Sequence, residues 1–211
     1  MPESPLSPLA RTTQDVYERQ AARFDAERPK RLHERAWLDR FLALVPSGGT
    51  ILDLGCGAGD PIAGYFLRRG HRVVGVDASH AMLAIARQRF PDGEWRHADM
   101  RTLDLPERFD GIIAWNSFFH LTRDEQRDVL VRCATHLVPG GALMLTVGPE
   151  DGEVTGHVGG EPIYHSSLAP SEYRRRLDAL DIEIVTFVLE DPACDGQTVL
   201  LGRRRPEVAG P

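Results

Sequence analysis

The feature that most constrains this chain is a short apolar strand that runs directly into a glycine-rich turn. Residues 51–61 read ILDLGCGAGDP. Glycine is needed where the backbone takes a positive φ or approaches a ligand closely. Asp60 and Pro61 suit the N-cap and the first position of a following helix, whose start would offer N–H groups to an anionic ligand group. In open parallel sheets, ligands bind beyond the carboxyl ends of the strands, where the strand order reverses. The turn therefore predicts a ligand site.

The spacing of the glycines indicates which class of ligand binds there. A dinucleotide fingerprint, GxGxxG, would place its third glycine at position 60, but this chain has Gly59 and then Asp60. An aspartate would repel a pyrophosphate and attract an ammonium group. Asp77 ends the next predicted strand, where an acid can accept hydrogen bonds from both ribose hydroxyls. Together these residues predict a nucleoside that carries an amino-acid group.

Strand and helix patterns alternate along the rest of the chain. Strands are predicted over 50–54, 72–77, 93–96, 110–115, 141–147, 182–189 and 198–202. Repeated strand–helix units give a mostly parallel sheet with helices on both faces. We therefore predict an α/β, doubly wound, seven-stranded sheet whose last strand is antiparallel.

The domain is expected to span residues 13–203, between a disordered tail at 1–12 and a frayed tail at 204–211. Residues 13–45 have helical periodicity, interrupted at Arg28-Pro29 because the residue before proline avoids the helical region. Residues 148–168 are rich in glycine without clear periodicity, which predicts a long loop with a function. A helix is predicted to follow, up to residue 180.

The composition excludes several classes of function. The formal net charge of −6 argues against a broad nucleic-acid-binding face. Lys30 is the only lysine and is expected to be solvated, so a phosphate-binding loop of the GxxxxGK type is absent. Three cysteines are too few for a disulfide framework. No run approaches the roughly 20 apolar residues of a membrane span, and the first residues do not resemble a secretory signal. A cytoplasmic protein is expected.

Two further strand ends carry polar or aromatic residues. Asp99 and Met100 follow the third strand, where a carboxylate and a backbone N–H could bind adenine. Trp115 and Asn116 open the sequence WNSFFH after the fourth strand. Aromatic faces suit a sulfonium cation, with about 0.5–2 kcal/mol gained per contact.

Five sequences, in this order, resemble the successive motifs of class I S-adenosylmethionine-dependent methyltransferases. They are LDLGCGAGDP, VVGVDAS, HADM, FDGIIAWNSFFHL and LVPGGALMLTVG, and the resemblance covers about residues 13–203. It implies a Rossmann-like methyltransferase fold and S-adenosyl-L-methionine as cofactor. It also implies O- or N-methylation of a small molecule by direct in-line displacement. Residues 13–45 resemble a helical lid, and 148–180 resemble the substrate-side region of a bacterial subgroup, in which an acid is expected where this chain has Asn116.

The resemblance, with the strand-end positions above, gives a set of candidate cofactor-binding residues. They are Tyr17, Trp37, Gly55, Cys56, Gly57, Gly59, Asp60, Asp77, Ala78, Met82, Asp99, Met100, Trp115 and Asn116.

An acceptor that is a hydroxyl or an ammonium group would need a base to take its proton. The candidates are His120, His165 and Tyr164, and His120 follows the fourth strand, near the expected methyl group. No metal site is predicted. His157, Glu161 and His165 have the spacing of one helix face, but Gly159, Gly160 and Pro162 argue against a helix there.

Three other functions remain open from the sequence. One is a binding protein for the same cofactor without catalysis. A second is a nicotinamide-dependent oxidoreductase, disfavoured by the glycine spacing and by the lack of a lysine after Lys30. A third is methylation of RNA or protein, disfavoured by the net charge.

Overall fold

The structure is a computed structural model that describes residues 6–207. Its strands are β1 (Thr50–Leu54), β2 (Arg72–Asp77), β3 (Glu94–His97), β4 (Phe109–Ala114), β5 (Leu137–Val147), β6 (Gly152–Val158), β7 (Glu161–Ser167), β8 (Ile182–Asp191) and β9 (Gln197–Arg204). Its α-helices are α1 (Ser7–Glu27), α2 (Arg35–Leu42), α3 (Ile62–Arg68), α4 (His80–Arg89), α5 (Arg123–His136) and α6 (Pro170–Ala179).

Seven of the strands form one sheet in the order β3-β2-β1-β4-β5-β9-β8. β1 pairs in parallel with both β2 and β4, while β9 is antiparallel to β5 and β8. The strand order reverses between β1 and β4, so a crevice opens there at the carboxyl ends of the strands. The predicted doubly wound sheet with an antiparallel last strand is confirmed.

Alternation along each strand divides the core into two layers. Leu52 and Leu54 of β1 face one layer, which α5 and α6 cover. Ile51 faces the other layer, where it packs with Trp37 and Phe66 under α2, α3 and α4. Both faces of the central strands are therefore buried, as a parallel sheet requires.

A cap forms outside the sheet from α1 and the antiparallel hairpin β6–β7. Val16 of α1 packs against Val158 and Ile163 of the hairpin. On the other side of α1, Ala21 packs against Met82 of α4. α1 therefore lies between the hairpin and α4, above the carboxyl edge of the sheet.

Three predictions about local structure are corrected. Residues 7–12 form the first turns of α1, because packing against the hairpin stabilises a segment whose sequence resembled a tail; residues 1–5 lie outside the described part. The segment 148–168, predicted as a long loop, contains β6 and β7, which pair as an antiparallel hairpin. Its glycines and polar residues obscure the alternation of apolar residues that indicates a strand. The sheet continues through Arg204, while 208–211 lie outside the described residues.

Helix boundaries follow the predicted signals in most places. α1 ends before Arg28-Pro29, and Thr122 with Glu125 forms a complete capping box at the start of α5.

Asp60 does not cap α3, whose start has no side-chain cap. Its carboxylate lies 3.6 Å from the Lys30 ammonium, which also binds Asp25 at 2.8 Å. The expected solvated lysine thus takes part in ion pairs.

A buried polar network joins the hairpin to the helices that cover one face of the sheet. The Tyr173 hydroxyl of α6 donates to Gln126 Oε1 of α5 at 2.6 Å and accepts from the Leu168 N–H at 3.2 Å. Gln126 Nε2 donates to the Ser166 carbonyl oxygen at the end of β7 at 2.9 Å. Tyr173 and Gln126 are both fully buried. One network therefore joins two helices and β7.

We expect Tyr173→Phe to lower the free energy of unfolding by about 1–3 kcal/mol, because it leaves Gln126 Oε1 and the Leu168 N–H buried without partners. The measurement is urea unfolding at equilibrium. The control is Tyr65→Phe, whose lost hydroxyl contacts Asp39, a carboxylate with 44% of its side chain exposed. That control should cost less than about 1 kcal/mol, since water can solvate the carboxylate. Equal losses in the two variants would contradict the role of the network.

Candidate functional site

The glycine-rich turn after β1 has a backbone that few other residues can adopt. Gly55, Gly57 and Gly59 have φ values of +70°, +54° and +75°. A Cβ on Gly55 would lie 2.3 Å from the Cβ of Ser117, which follows β4. A Cβ on Gly59 would lie 2.8 Å from the Trp95 ring. The glycines therefore let the turn approach the neighbouring strand end and the core beneath it.

Asp77, at the end of β2, binds this turn. Its Oδ2 accepts the Gly57 N–H at 2.8 Å, and its Oδ1 accepts the Ser79 N–H at 2.8 Å. Burial raises the pKa of this carboxyl above its ordinary value, although the two backbone hydrogen bonds oppose the shift. Each carboxylate oxygen keeps a lone pair for a ligand.

A cavity lies over the carboxyl ends of the strands and beneath α1. Ten of the predicted site residues line it, namely Tyr17, Gly55, Gly57, Asp77, Ala78, Met82, Asp99, Met100, Asn116 and His120. Other lining residues are not among the predicted site residues, namely Ala10, Thr13, Gln14, Phe24, Arg28, Val76, Ser79, Ala98, Arg101, Ser117, Leu121 and Glu125. Four of these residues lie on α1, and Arg28 follows its end. The helical pattern alone does not show which face of α1 turns to the cavity.

The structure places several predicted cofactor-binding residues elsewhere. Trp37 is 1% exposed in the core under the opposite face of the sheet, and its Nε1 donates to Asp191 Oδ2 at 2.8 Å. Trp115 lies in the same layer, because alternation turns it away from the face that Ala114 occupies. Gly59 faces Trp95, and Asp60 faces Lys30.

Cys56 also lies outside the cavity lining. Its Sγ lies 3.6 Å from the Gly57 carbonyl oxygen, and burial raises the pKa of the thiol well above its ordinary value. A Cβ on Gly75 would lie 2.9 Å from this sulfur, so the side chain fills space above β2. Cys56 is therefore corrected from a candidate cofactor-binding residue to a small packing residue.

Tyr164 and His165 of β7 lie behind His120. The Tyr164 hydroxyl donates to Glu153 Oε1 at 2.9 Å, within the hairpin. The His165 ring packs against Phe119 and His120, with ring centroids 4.7 and 4.9 Å apart. Neither residue lines the cavity, so they are corrected from candidate bases to supports for His120.

His120 itself reaches the cavity and has two hydrogen-bond partners. Its Nδ1 lies 2.9 Å from the Tyr164 carbonyl oxygen, and its Nε2 lies 2.9 Å from the Tyr17 hydroxyl. Burial lowers the pKa of His120 to about 4. The imidazole is therefore neutral at neutral pH.

A polar cluster fixes the other end of the cavity. Asp99 accepts hydrogen bonds from Arg101 Nε at 2.8 Å and from Gln14 Nε2 at 3.1 Å. Burial acts to raise the pKa of Asp99, but these hydrogen bonds outweigh it and the pKa lies below its ordinary value. Arg101 also donates to Gln14 Oε1 at 2.9 Å. Asp99 is therefore an oriented carboxylate that also holds α1.

Asn116 follows β4 in a left-handed conformation, with φ of +54°, which asparagine tolerates better than most residues. Its N–H donates to Thr146 Oγ1 at 2.7 Å. Its Oδ1 is buried and, within residues 6–207, has no hydrogen-bond partner. A buried acceptor at a cavity wall is suited to a ligand that donates a hydrogen bond.

Asp53 is a second functional candidate that the sequence analysis missed. It is 3% exposed in β1, two residues before Gly55, the first glycine of the turn. Burial raises its pKa to about 7, with Arg28 lowering it and Asp77 raising it. A charged residue within the buried strand ILDL was the available signal.

Within residues 6–207, no helix combines the length and apolar character needed to cross a membrane. In the same part of the chain, no group of three or more His, Cys, Asp or Glu side chains is arranged to hold a metal ion.

Comparison with known proteins gives one family and many relatives. Residues 51–141 match the family described as "Methyltransferase domain". The chain is 35% identical over 102 residues to dTDP-3-amino-3,6-dideoxy-alpha-D-glucopyranose N,N-dimethyltransferase of Streptomyces fradiae, which is 47% of this chain and 40% of that protein. It is 40% identical over 108 residues to trans-aconitate 2-methyltransferase of Azoarcus sp., which is 50% of this chain and 42% of that protein. The matches therefore span less than half the length of these two relatives.

Solved structures agree over most of the chain. CalS10, an amino pentose methyltransferase from Micromonospora echinaspora, has a TM-score of 0.69 at 23% identity, covering 88% of this chain and 96% of that one. The 1,6-didemethyltoxoflavin-N1-methyltransferase of Burkholderia thailandensis has a TM-score of 0.72 at 22% identity, covering 97% of this chain and 92% of that one. The predicted Rossmann-like methyltransferase fold is confirmed.

The buried Asp53 gives a pH-dependent stability. Its pKa is raised from 3.8 to about 7 on folding, so the folded chain keeps a proton that the unfolded chain loses. The stabilisation that the folded chain gains from this proton is complete below about pH 4 and is lost as the pH rises through about 7. The free energy of unfolding of Asp53→Asn, relative to that of the wild type, should therefore rise by up to about 1.4 kcal/mol per pH unit across that interval. Above the interval this difference should rise no further.

Urea unfolding at pH 5, 6, 7 and 8 measures this difference. Asp104→Asn, at an exposed position, is the control and should follow the wild-type pH dependence. The same pH dependence in wild type and Asp53→Asn would contradict the assignment.

Proposed function

We propose, starting from the methyltransferase domain at residues 51–141, that this chain is an S-adenosylmethionine-dependent methyltransferase acting on a small molecule. The observation that carries the proposal is the joint geometry of the turn and Asp77. The positive-φ glycines leave room for a ligand, and the carboxylate that binds Gly57 keeps lone pairs at the cavity wall. The same geometry would crowd a pyrophosphate against buried carboxylates.

The cavity offers a partner to each part of the cofactor. Asp77 would accept hydrogen bonds from the ribose hydroxyls, and Asp99 with Met100 would hold the adenine. Gly55 and Gly57 would lie against the methionine part. Ala78 and Met82 supply apolar wall beside them, and Tyr17 closes the cavity from α1.

The charged ends of the methionine part also have partners. Arg28 lines the cavity just after α1, with its guanidinium carbon 5.9 Å from the Phe24 ring centroid. It would bind the carboxylate, since a guanidinium matches carboxylate geometry. The Arg28 cation lowers the pKa of Asp53 in β1, the strand that leads into the glycine turn. Its charge therefore acts on the turn side of the cavity. The buried Asn116 amide oxygen suits the ammonium group.

When bound, the cofactor supplies a methyl group on a sulfonium, which leaves a neutral thioether. The residues of this chain then have to align the acceptor and exclude water, which can supply about 7–11 kcal/mol. α1 closes the cavity through Gln14, bound to Asp99, and through Glu18, which accepts the Ser79 hydroxyl at 2.6 Å. The hairpin supports α1 from outside, where the Tyr164 N–H donates to Thr13 Oγ1 at 3.0 Å.

The acceptor is proposed to bind at the end of the cavity lined by Tyr17, His120 and Leu121. We propose O- or N-methylation there. His120 stays the candidate to receive a proton, but its Nε2 is engaged by Tyr17. A proton from the acceptor would therefore reach His120 only through the Tyr17 hydroxyl or after that hydrogen bond opens.

S-adenosylhomocysteine should raise the melting temperature clearly, while NAD and NADP should not. A ligand at 100 times its Kd adds about 2.7 kcal/mol of stability. Asp77→Ala should remove most of the increase, because the ribose loses its acceptors, and the apo variant should stay folded. The exposed Asp124→Ala is the control and should keep the full increase. An unchanged increase in Asp77→Ala would contradict the ribose assignment.

Arg28→Met should weaken binding of S-adenosylhomocysteine about tenfold to a hundredfold, the effect of losing one hydrogen-bonded charge pair. Binding of 5′-methylthioadenosine, which lacks the amino-acid part, should stay the same. Titration calorimetry measures both ligands, and Arg31→Met, at an exposed position, is the control. Equal weakening of both ligands would show that Arg28 acts on the fold of the cavity instead of the carboxylate.

Formation of S-adenosylhomocysteine from S-adenosylmethionine in the presence of hydroxyl and amine compounds separates catalysis from binding alone. A chain that binds the cofactor and never releases this product with any acceptor would be a binding protein.

A further inference from the structure

A chain of hydrogen bonds fixes the direction of the Tyr17 hydroxyl. The Tyr164 carbonyl oxygen can only accept, so His120 Nδ1, 2.9 Å away, must carry a hydrogen. Burial lowers the pKa of His120 to about 4, so the ring holds one hydrogen and Nε2 has a lone pair. The Tyr17 hydroxyl, 2.9 Å from Nε2, must therefore donate its only hydrogen to His120. What remains on the Tyr17 oxygen is lone pairs.

Packing restrains these rings. The rings of His120, Phe119 and His165 pack against one another, with centroids 4.7 to 4.9 Å apart. The Tyr17 ring makes edge contacts with Phe24 at 5.3 Å and with His120 at 5.2 Å. The backbone of Tyr164 also holds α1 through Thr13. One residue of the hairpin thus sets both the tautomer of His120 and the position of Tyr17.

Two charged residues act on Tyr17. Burial is the main cause of the raised pKa of its phenol; the Arg28 cation opposes the rise, and Asp77 adds to it by a smaller amount. In the proposed function Arg28 pairs with the carboxylate of the cofactor and Asp77 with its ribose. The Tyr17 oxygen is then the group left to meet an acceptor, and it offers only lone pairs.

We infer that Tyr17 determines the class of methyl acceptor, accepting a hydrogen bond from a hydroxyl or amino group and rejecting a carboxylate. This inference rests on the proposed function. A hydroxyl or amine can direct its hydrogen at the Tyr17 oxygen and its own lone pair at the methyl group. A carboxylate has no hydrogen to direct at Tyr17 and would meet the lone pairs of its oxygen, and a buried charge without a partner is costly. Tyr17 is thereby a specificity residue in addition to a wall of the cofactor site.

The polarity can be tested without knowing the acceptor. In the complex with S-adenosylhomocysteine, 15N NMR of labelled histidine should show His120 protonated at Nδ1 and unprotonated at Nε2, with no titration between pH 5.5 and 8. In Tyr17→Phe the tautomer should persist, held by Tyr164, while the Nε2 resonance shifts because its donor is lost. A hydrogen on Nε2 in the wild type would overturn the inference.

Turnover tests the selectivity with three benzene derivatives that carry one acceptor group each: phenol, aniline and benzoate. The wild type should methylate phenol or aniline at least tenfold faster than benzoate. Tyr17→Phe should reduce that ratio, and Tyr65→Phe, whose hydroxyl contacts Asp39 outside the cavity, should keep it. Methylation of benzoate at a rate equal to or above the others would overturn the inference.

The two failures are separable. Absence of any thermal shift with S-adenosylhomocysteine would contradict the proposed function. A normal shift together with the opposite His120 tautomer would contradict only the role of Tyr17.

Discussion

The carboxylate of Asp77 is the interaction on which the rest of the site depends. It joins the glycine turn after β1 to the start of α4 by accepting one N–H from each, Gly57 and Ser79. Because β1 and β2 are neighbours in the sheet, this side chain can reach both. It fixes the floor of the cavity and keeps lone pairs for a ligand. Its burial is costly, and the two backbone hydrogen bonds offset part of that cost.

Closure of the cavity comes from α1, which is held on both sides. Gln14 and Glu18 bind groups at the ends of β3 and β2, while Thr13 and Gln20 bind the hairpin. The hydrogen bond from the Tyr164 N–H to Thr13 is buried and the other three are part-buried, and each contributes modestly by itself. α1 also packs Val16 against the hairpin and Ala21 against Met82, in small clusters apart from the two main layers of the core. The cap is therefore held by hydrogen bonds together with two small apolar contacts.

Residues that follow a strand were easier to predict than residues on the cap. Gly55, Asp77, Asp99 and Asn116 all line the cavity because parallel strands end at one edge. Trp37 is the opposite case, since aromatic residues at helical spacing fit a core layer as well as a lid, and the core layer contains it. His165 and Tyr164 resembled catalytic groups, but the register of the hairpin turned the first against Phe119 and the second toward Glu153.

The sequence by itself determined the sheet, its reversal point and the glycine turn, because strand periodicity and positive-φ glycines are local properties of the chain. Only the tertiary structure decided which groups face the cavity from α1 and what they can do there. Arg28 and Tyr17 line the same cavity as Gly57, and Tyr17 contacts His120, which is 103 residues away in the chain. The direction of a hydroxyl hydrogen depends on a carbonyl in another element, and no local pattern records that contact.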